Sequence, residues 1–265
     1  MPPAFHPSQT ANLAMAEHRR PGRVLARGCW EGVMRLKVLG GWSPGPLDVL
    51  QARMDAEFLE PSIPMPPSGC RWCLNPFLLM LVGVLCLLPT ACDLVSSGGG
   101  INWSHLALLI AMPLALRLLV AGVVWYSIKD GLWTASRAIR DFQPDVVLAF
   151  SWGGGLALWL LSERRWSGPT LLLAPTVKAM SCVSCCSMPR LPPLRSAVHV
   201  FHAENDGFCP SSQVAALSGA GCELHICDDN HVLLRRQTVE EIHACLKQLL
   251  SLPRPDGLGA DGWDD

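Results

Sequence analysis

From residue 130 onward, the sequence alternates between short apolar runs and longer segments with helical spacing. The apolar runs have the length of buried strands and lie at 145–150 (DVVLAF), 170–174 (TLLLA), 197–202 (AVHVFH) and 223–227 (ELHIC). The helical segments lie at 131–142, 154–163, 211–218 and 239–250. Strands that alternate with helices predict an α/β protein with a mostly parallel sheet covered on both faces.

The first part of the chain is expected to add two strands to this sheet. RLKVLGG at 35–41 is typical of a strand, 46–57 of a helix, and 58–63 of a second strand closed by a Pro-rich turn. We therefore expect a loose leader at 1–33, one α/β domain at 34–250 and a flexible acidic tail at 251–265. Because the leader contains four arginines between residues 19 and 27, it could also be a transit peptide.

An apolar insertion at 72–128 interrupts this domain. The stretch at 72–92 has no charged residue, and the stretch at 103–126 has only Arg117. Each reaches the roughly 20 residues that a membrane span needs, and SSGGG at 96–100 separates them, which predicts a helical hairpin. Arg71 and Lys129 flank it and favour a cytosolic position for the rest of the domain. The alternative is a pair of apolar lid helices, because a charge at the centre of a span costs about 2.5–3.5 kcal/mol.

The composition excludes several classes of protein. The 21 Lys and Arg against 22 Asp and Glu give a net charge of −1, without the basic patch of a nucleic-acid-binding protein. The sequence has no G-x-G-x-x-G after a strand and no P-loop, so we expect no cofactor. Twelve cysteines include the pairs 70/73 and 182/185, with Cys186 beside the second. Zinc, redox and lipidation roles stay open for them, but free thiols and no metal site are expected.

Three residues that can form a catalytic unit follow three of the predicted strands. Ser151 stands in AFSWGG after the strand at 145–150, Asp206 in HAENDGFCP and His231 in DDNHVL. The carboxyl ends of strands are where open α/β sheets assemble their sites. With Ala149 in place of the first glycine, AFSWG resembles the G-x-S-x-G nucleophile elbow of the α/β-hydrolase superfamily, and the order Ser, Asp, His matches too. The resemblance covers 35–67 and 130–250 and is closest to compact serine esterases and thioesterases of the dienelactone-hydrolase kind.

The resemblance implies a role for each residue. Ser151 would be the nucleophile, His231 the general base and Asp206 the residue that orients the imidazole. Backbone N–H groups of Trp152 and of Trp42 would stabilise the oxyanion, with Gly41 as the near alternative to Trp42. Two other acids near the histidine, Asp228 and Asp229, remain rivals to Asp206.

Two hypotheses for the function follow. In the first, the chain is a serine hydrolase that cleaves an ester or thioester of a small or lipid-like acyl group. It would be membrane-associated with the site facing the cytoplasm, or else soluble in the cytoplasm. In the second, it is a non-catalytic, membrane-bound interaction protein of the same fold. The ordered presence of all three residues favours the hydrolase. The sequence does not indicate the acyl group, the leaving group or the oligomeric state.

Overall fold

The computed structural model describes residues 35–41, 45–63 and 103–252, all of which belong to the unit Val33–Asp265. The predicted leader, the apolar stretch at 72–92, Trp42 and the chain from 253 onward lie outside these ranges. The strands are β1 Arg35–Leu39, β2 Glu57–Leu59, β3 Val146–Phe150, β4 Thr170–Leu173, β5 Val198–Ala203 and β6 Glu223–Cys227. The helices are α1 Leu47–Arg53, α2 Trp103–Phe142, α3 Trp152–Ser162, α4 Val177–Ser184, α5 Ser211–Gly219 and α6 Arg236–Ser251.

The described strands form one six-stranded sheet in the order β2-β1-β3-β4-β5-β6, and every neighbouring pair is parallel. Strands that are covered on both faces need apolar side chains on both sides. All five residues of β3 and all four of β4 are buried accordingly. The sheet confirms the predicted α/β class with a mostly parallel sheet covered by helices on both faces.

Each face of the sheet has its own apolar core. Val147 and Ala149 point to the face that α2, α3 and α4 cover. Their neighbours Val146, Leu148 and Phe150 point to the opposite face, against α1 and α6. This division follows from the period of two along a strand. The helices fix β3 from both sides, so the turn at its carboxyl end is held in place.

Helix α2 corrects the predicted boundary between the insertion and the first helix of the α/β region. We expected separate helices at 103–126 and 131–142, but the structure has one helix of 40 residues. Residues 127–130 (SIKD) contain neither Pro nor Gly. One buried stripe also runs through the expected boundary and consists of Val124, Ile128, Leu132, Ala135 and Ile139. The predicted hairpin is not confirmed, since its first limb and its turn lie outside the described residues.

The charge in the apolar half of α2 contacts protein. The Arg117 guanidinium donates hydrogen bonds to the carbonyl oxygens of Cys182, at 2.6 Å, and of Val183. Both carbonyls belong to the last turn of α4, a helix in a segment for which the sequence predicted neither a helix nor a strand. Carbonyls of a last helical turn lack intrahelical partners, so a cation there is favourable.

None of the helices in the described ranges combines the length and apolar character needed to cross a membrane.

Candidate active site

Ser151 occupies a strained turn between β3 and α3. Its φ of 51° and ψ of −112° lie in a region that residues other than glycine seldom adopt. The glycines after it allow α3 to begin very close to its neighbours. A Cβ on Gly153 would lie 2.1 Å from the Leu39 carbonyl oxygen, and one on Gly154 would lie 2.9 Å from the Pro175 Cα. The sharp turn holds the Ser151 side chain at the carboxyl edge of the sheet.

Three of the predicted side chains form a continuous hydrogen-bonded chain. The Ser151 Oγ lies 2.8 Å from the His231 Nε2, and the His231 Nδ1 lies 2.7 Å from the Asp206 Oδ2. An ionised carboxylate can only accept, so the Nδ1 carries a proton and donates it to Asp206. In a neutral imidazole the Nε2 is then the acceptor for the serine hydroxyl. The arrangement can move a proton away from the Ser151 Oγ.

The pKa of the Asp206 carboxyl is lowered by its hydrogen bond with His231 and by the loop that carries it. Its side chain has no exposed area, and burial alone would raise the pKa of the carboxyl. Hydrogen bonds from His231 and from the backbone N–H groups of Phe208, at 2.8 Å, and Cys209, at 3.1 Å, outweigh this effect. The pKa of Asp206 is therefore lower than that of an ordinary aspartate.

The two rival acids have other partners. Asp229 is buried and accepts hydrogen bonds from the backbone N–H groups of Asn230, at 2.7 Å, and Arg235, at 2.9 Å. Asp228 is exposed and forms an ion pair with the Arg235 guanidinium. Asp206 is thus the acid that the structure places against His231.

Two of the three residues predicted to donate to the oxyanion, Gly41 and Trp152, lie within the described residues. Trp152 is the first residue of α3, where backbone N–H groups point out of the helix. Gly41 lies against the serine, since a Cβ added to it would be 2.8 Å from the Ser151 Cβ. The N–H of Gly153 has another use, because it donates to the Gly40 carbonyl at 3.0 Å. Trp152 and Gly41 remain predictions as donors, and Trp42 lies outside the described ranges.

Two phenylalanines that the sequence analysis did not single out flank the histidine. The Phe150 and Phe208 ring centroids lie 5.6 Å and 5.1 Å from that of His231. Phe208 is 58% exposed and forms an apolar surface beside the imidazole. In the sequence, the position of Phe208 two residues after Asp206 was the feature that could have indicated its place beside the site.

Cys209 is a thiol close to this chain of residues. It is buried, and its Sγ donates to the Pro175 carbonyl oxygen at 3.0 Å. Burial raises the pKa of the thiol far above its usual range, so it stays protonated.

No protein-family model matches this sequence, and no curated protein matches it significantly. Several solved structures are similar to the fold. A protein assigned to the hydrolases of the alpha/beta superfamily, from Xanthomonas campestris pv. campestris, is 14% identical, with 81% of this chain and 95% of that chain covered and a TM-score of 0.46. A structure from work on the metagenome-derived lipolytic enzymes LipS and LipT is 12% identical, with coverages of 82% and 94% and a TM-score of 0.48. The Bacillus cereus carboxylesterase is 18% identical, with coverages of 48% and 62% and a TM-score of 0.35.

Proposed function

We propose that this protein is a serine hydrolase that cleaves an ester or thioester through an acyl-enzyme intermediate on Ser151. The observation that carries the proposal is the continuous chain from Ser151 through His231 to Asp206, with contacts of 2.8 Å and 2.7 Å. These residues are 80 and 25 positions apart in the sequence, and their side chains meet at one edge of the sheet.

In the first half of the reaction, the Ser151 Oγ attacks the acyl carbonyl carbon while the His231 Nε2 takes the hydroxyl proton. The carbonyl oxygen becomes an oxyanion, for which the backbone N–H groups of Trp152 and Gly41 are the proposed donors. The carbon–oxygen or carbon–sulfur bond then breaks, and the leaving group takes the proton from the His231 Nε2. Asp206 stabilises the imidazolium that exists between these two proton transfers.

In the second half, a water molecule gives a proton to the His231 Nε2 and attacks the acyl carbon. The bond from carbon to the Ser151 Oγ breaks, and the serine recovers the proton from His231. A free acid leaves, and the enzyme returns to its starting state. The exposed ring of Phe208 beside the imidazole favours an apolar group on the substrate.

Backbone strain at Ser151 argues against the non-catalytic alternative. A residue other than glycine in such a conformation costs about 1–3 kcal/mol. An interaction protein with no use for a serine at the strand edge would fold better with a glycine there. The strain is understandable if the Ser151 hydroxyl must stand clear of the sheet and face His231.

A fluorophosphonate probe tests the proposal, because it reacts with an activated serine. We expect the wild-type protein and Ser162→Ala to be labelled, and Ser151→Ala to remain unlabelled. Turnover of aryl esters and acyl thioesters of increasing chain length would then define the substrate class. Loss of Ser151 should reduce turnover by roughly 10³-fold or more. Near-normal turnover in Ser151→Ala would contradict Ser151 as the nucleophile. A folded wild-type protein that is never labelled would contradict the proposal and favour an interaction protein.

We also propose that the protein associates with a lipid surface through the amino-terminal half of α2. The outward side of this half carries exposed apolar side chains, namely Leu114, Leu118, Leu119, Val123, Trp125 and Tyr126. From Lys129 onward the exposed residues of the helix include the charges Lys129, Arg137 and Asp141, next to the exposed ring of Trp133. This change of polarity with aromatic residues at the boundary is typical of contact with a membrane interface. Exposed apolar strips of this kind mark interaction sites.

Flotation with phosphatidylcholine vesicles tests the lipid contact. The double variant Leu118→Gln, Leu119→Gln should float much less than the wild-type protein. A matched control is Leu234→Gln, since Leu234 is a similarly exposed leucine elsewhere on the surface. Equal flotation of all three proteins, or none by the wild-type protein, would contradict the proposal.

A further inference from the structure

A second group of reactive side chains lies at the amino ends of β5 and β6, on the face that α6 covers. His199 pairs in register with Glu223, and Phe201 pairs with His225. Residues two apart in a strand point to the same side. Phe201 belongs to the core beneath α6, which also contains Cys245. We call the group formed by His199, Glu223, His225 and Cys245 the imidazole–thiol cluster.

Three ligand atoms of the imidazole–thiol cluster lie close enough together to share one metal ion, and the Glu223 carboxylate lies beside two of them. One nitrogen of each histidine and the Cys245 Sγ lie within 4.8 Å of one another. The His199 Nδ1 and the His225 Nε2 are 3.0 Å apart, and the Glu223 carboxylate oxygens lie 3.6 Å and 3.7 Å from these nitrogens. Tetrahedral Zn²⁺ with bonds of about 2.0–2.3 Å separates its ligand atoms by about 3.3–3.6 Å.

We propose that the imidazole–thiol cluster binds one Zn²⁺ ion as a structural site. Two imidazoles, a thiolate and a carboxylate are all ligands that Zn²⁺ accepts, and four of them complete its tetrahedral shell. Ca²⁺ and Mg²⁺ prefer oxygen ligands, so this donor set disfavours them. The proposal does not depend on hydrolysis at Ser151, because the cluster lies at the opposite ends of the strands.

The surroundings of the cluster suit a metal ion that enters from one side. His199 and Cys245 are buried, whereas the side chains of His225 and Glu223 are 30% and 65% exposed. The Phe201 ring stacks on His225, with centroids 4.4 Å apart, and holds that imidazole in place.

Metal binding has a defined proton balance. Cysteine binds Zn²⁺ as the thiolate, so a Cys245 thiol must lose its proton when the ion binds. The Cys245 S–H bond breaks as the bond from sulfur to Zn²⁺ forms, and the proton passes to solvent. The hydrogen bond between the two histidines is replaced by their bonds to the ion.

The site would connect elements that carry the proposed catalytic residues. Asp206 follows β5 and His231 follows β6, and the imidazole–thiol cluster joins the opposite ends of these strands to α6. A bound ion would fix the register of the two strands and hold α6 on the sheet. We therefore expect Zn²⁺ to raise stability, since an ion that binds only the folded chain stabilises it.

Titration of the full chain with Co²⁺, after treatment with a chelator, tests the proposal. Tetrahedral Co²⁺ absorbs visible light and shows a thiolate charge-transfer band, whereas Zn²⁺ has neither. We expect both signals at one ion per chain, and Zn²⁺ should displace them. Cys245→Ser should lose the charge-transfer band. Loss of a residue that only hydrogen-bonds to a metal ligand lowers metal affinity by roughly 10–100-fold, and loss of a ligand should cost at least as much. His225→Gln should therefore raise the Kd for the metal by at least that factor. Zn²⁺ should raise the melting temperature of the wild-type protein more than that of either variant.

Matched controls separate this site from its competitors. Cys222→Ser removes a cysteine that is as buried as Cys245 but lies in the other core, and it should keep the band. Cys209→Ser disrupts the group Asp206, Cys209 and His231, whose ligand atoms also lie within 4.8 Å of one another. The triple variant Cys182→Ser, Cys185→Ser, Cys186→Ser removes three of the exposed or half-buried thiols. Both should bind as the wild-type protein does. The proposal would be overturned if Cys245→Ser kept an unchanged band or if the band were lost only in these controls. It would also be overturned if the wild-type protein bound no Co²⁺.

Discussion

The backbone N–H of Gly153 donates a hydrogen bond of 3.0 Å to the carbonyl oxygen of Gly40, and this contact joins the start of α3 to the segment after β1. The same approach brings Gly41 against Ser151. The serine, its helix and the proposed second donor to the oxyanion are therefore positioned by one close backbone contact. A side chain at position 153 would separate them.

We expect Gly153→Ala to destabilise the fold and to reduce turnover. Its Cβ would lie 2.1 Å from the Leu39 carbonyl oxygen, so the backbone must shift, at a cost of about 1–3 kcal/mol or more. Urea denaturation measures the free energy of unfolding, and aryl-ester turnover measures the effect on the site. Gly122→Ala is the matched control, because a Cβ there would meet no atom of the described residues within 4 Å beyond its own helix backbone, and alanine favours a helix by about 1 kcal/mol. Equal stability of the two variants would contradict the prediction.

The identity of the acid can be tested by replacing each candidate. Asp206→Asn should lower kcat by roughly 10³- to 10⁴-fold, because the amide no longer fixes the His231 tautomer or stabilises its cation. Asp228→Asn and Asp229→Asn should change kcat little, since their carboxylates contact Arg235 and backbone N–H groups instead of His231. Steady-state kinetics on the folded variants measures this. A full loss of activity in Asp229→Asn with normal activity in Asp206→Asn would reverse the assignment.

Acidification should remove the stability that the Asp206 carboxylate contributes. Its pKa is lowered in the folded chain, so the unfolded chain binds a proton more readily at acid pH. The contribution is complete above the pKa of an unfolded aspartate, about 3.9, and is lost as the pH falls through the lower folded value. Denaturation midpoints measured between neutral pH and that region should fall more steeply for the wild-type protein than for Asp206→Asn. Parallel curves for the two proteins would show that the Asp206 carboxylate does not cause the pH dependence of stability.

Arg117 should be important for attaching α2 to the rest of the protein. Arg117→Met keeps much of the apolar stem but leaves the Cys182 and Val183 carbonyls without their cationic donor. We expect a loss of about 1–3 kcal/mol in the free energy of unfolding, as for hydrogen bonds to charged groups. Arg137→Met is the control, since its exposed pair with Asp141 contributes only about 0.3–0.5 kcal/mol. If Arg117→Met and Arg137→Met lower the free energy of unfolding equally, the contact between Arg117 and α4 does not stabilise the protein more than a surface ion pair does.

The strand at 223–227 is predicted with the bounds that the structure has, and the other strands of the α/β region differ by a residue at one or both ends. The runs that form β3 and β4 are short and almost continuously apolar, which is typical of parallel strands buried on both faces. Helix α4 was not predicted, because its Ser and Cys residues favour caps and turns over helix interiors. Packing of Val177 and Met180 into the core makes that segment helical.

The chain's own pattern of apolar runs, helical spacing and a serine before glycines determined the fold class and the three candidate residues. The tertiary structure decided what no local pattern contains. It placed Asp206, and not Asp228 or Asp229, against His231, because hydrogen-bond partners depend on how loops from different strands meet. It joined α2 into one helix, because a buried stripe formed by packing crosses the predicted boundary. It also brought His199 and His225 within 3.0 Å, since strand register, which sequence spacing leaves open, sets which residues face each other across a sheet.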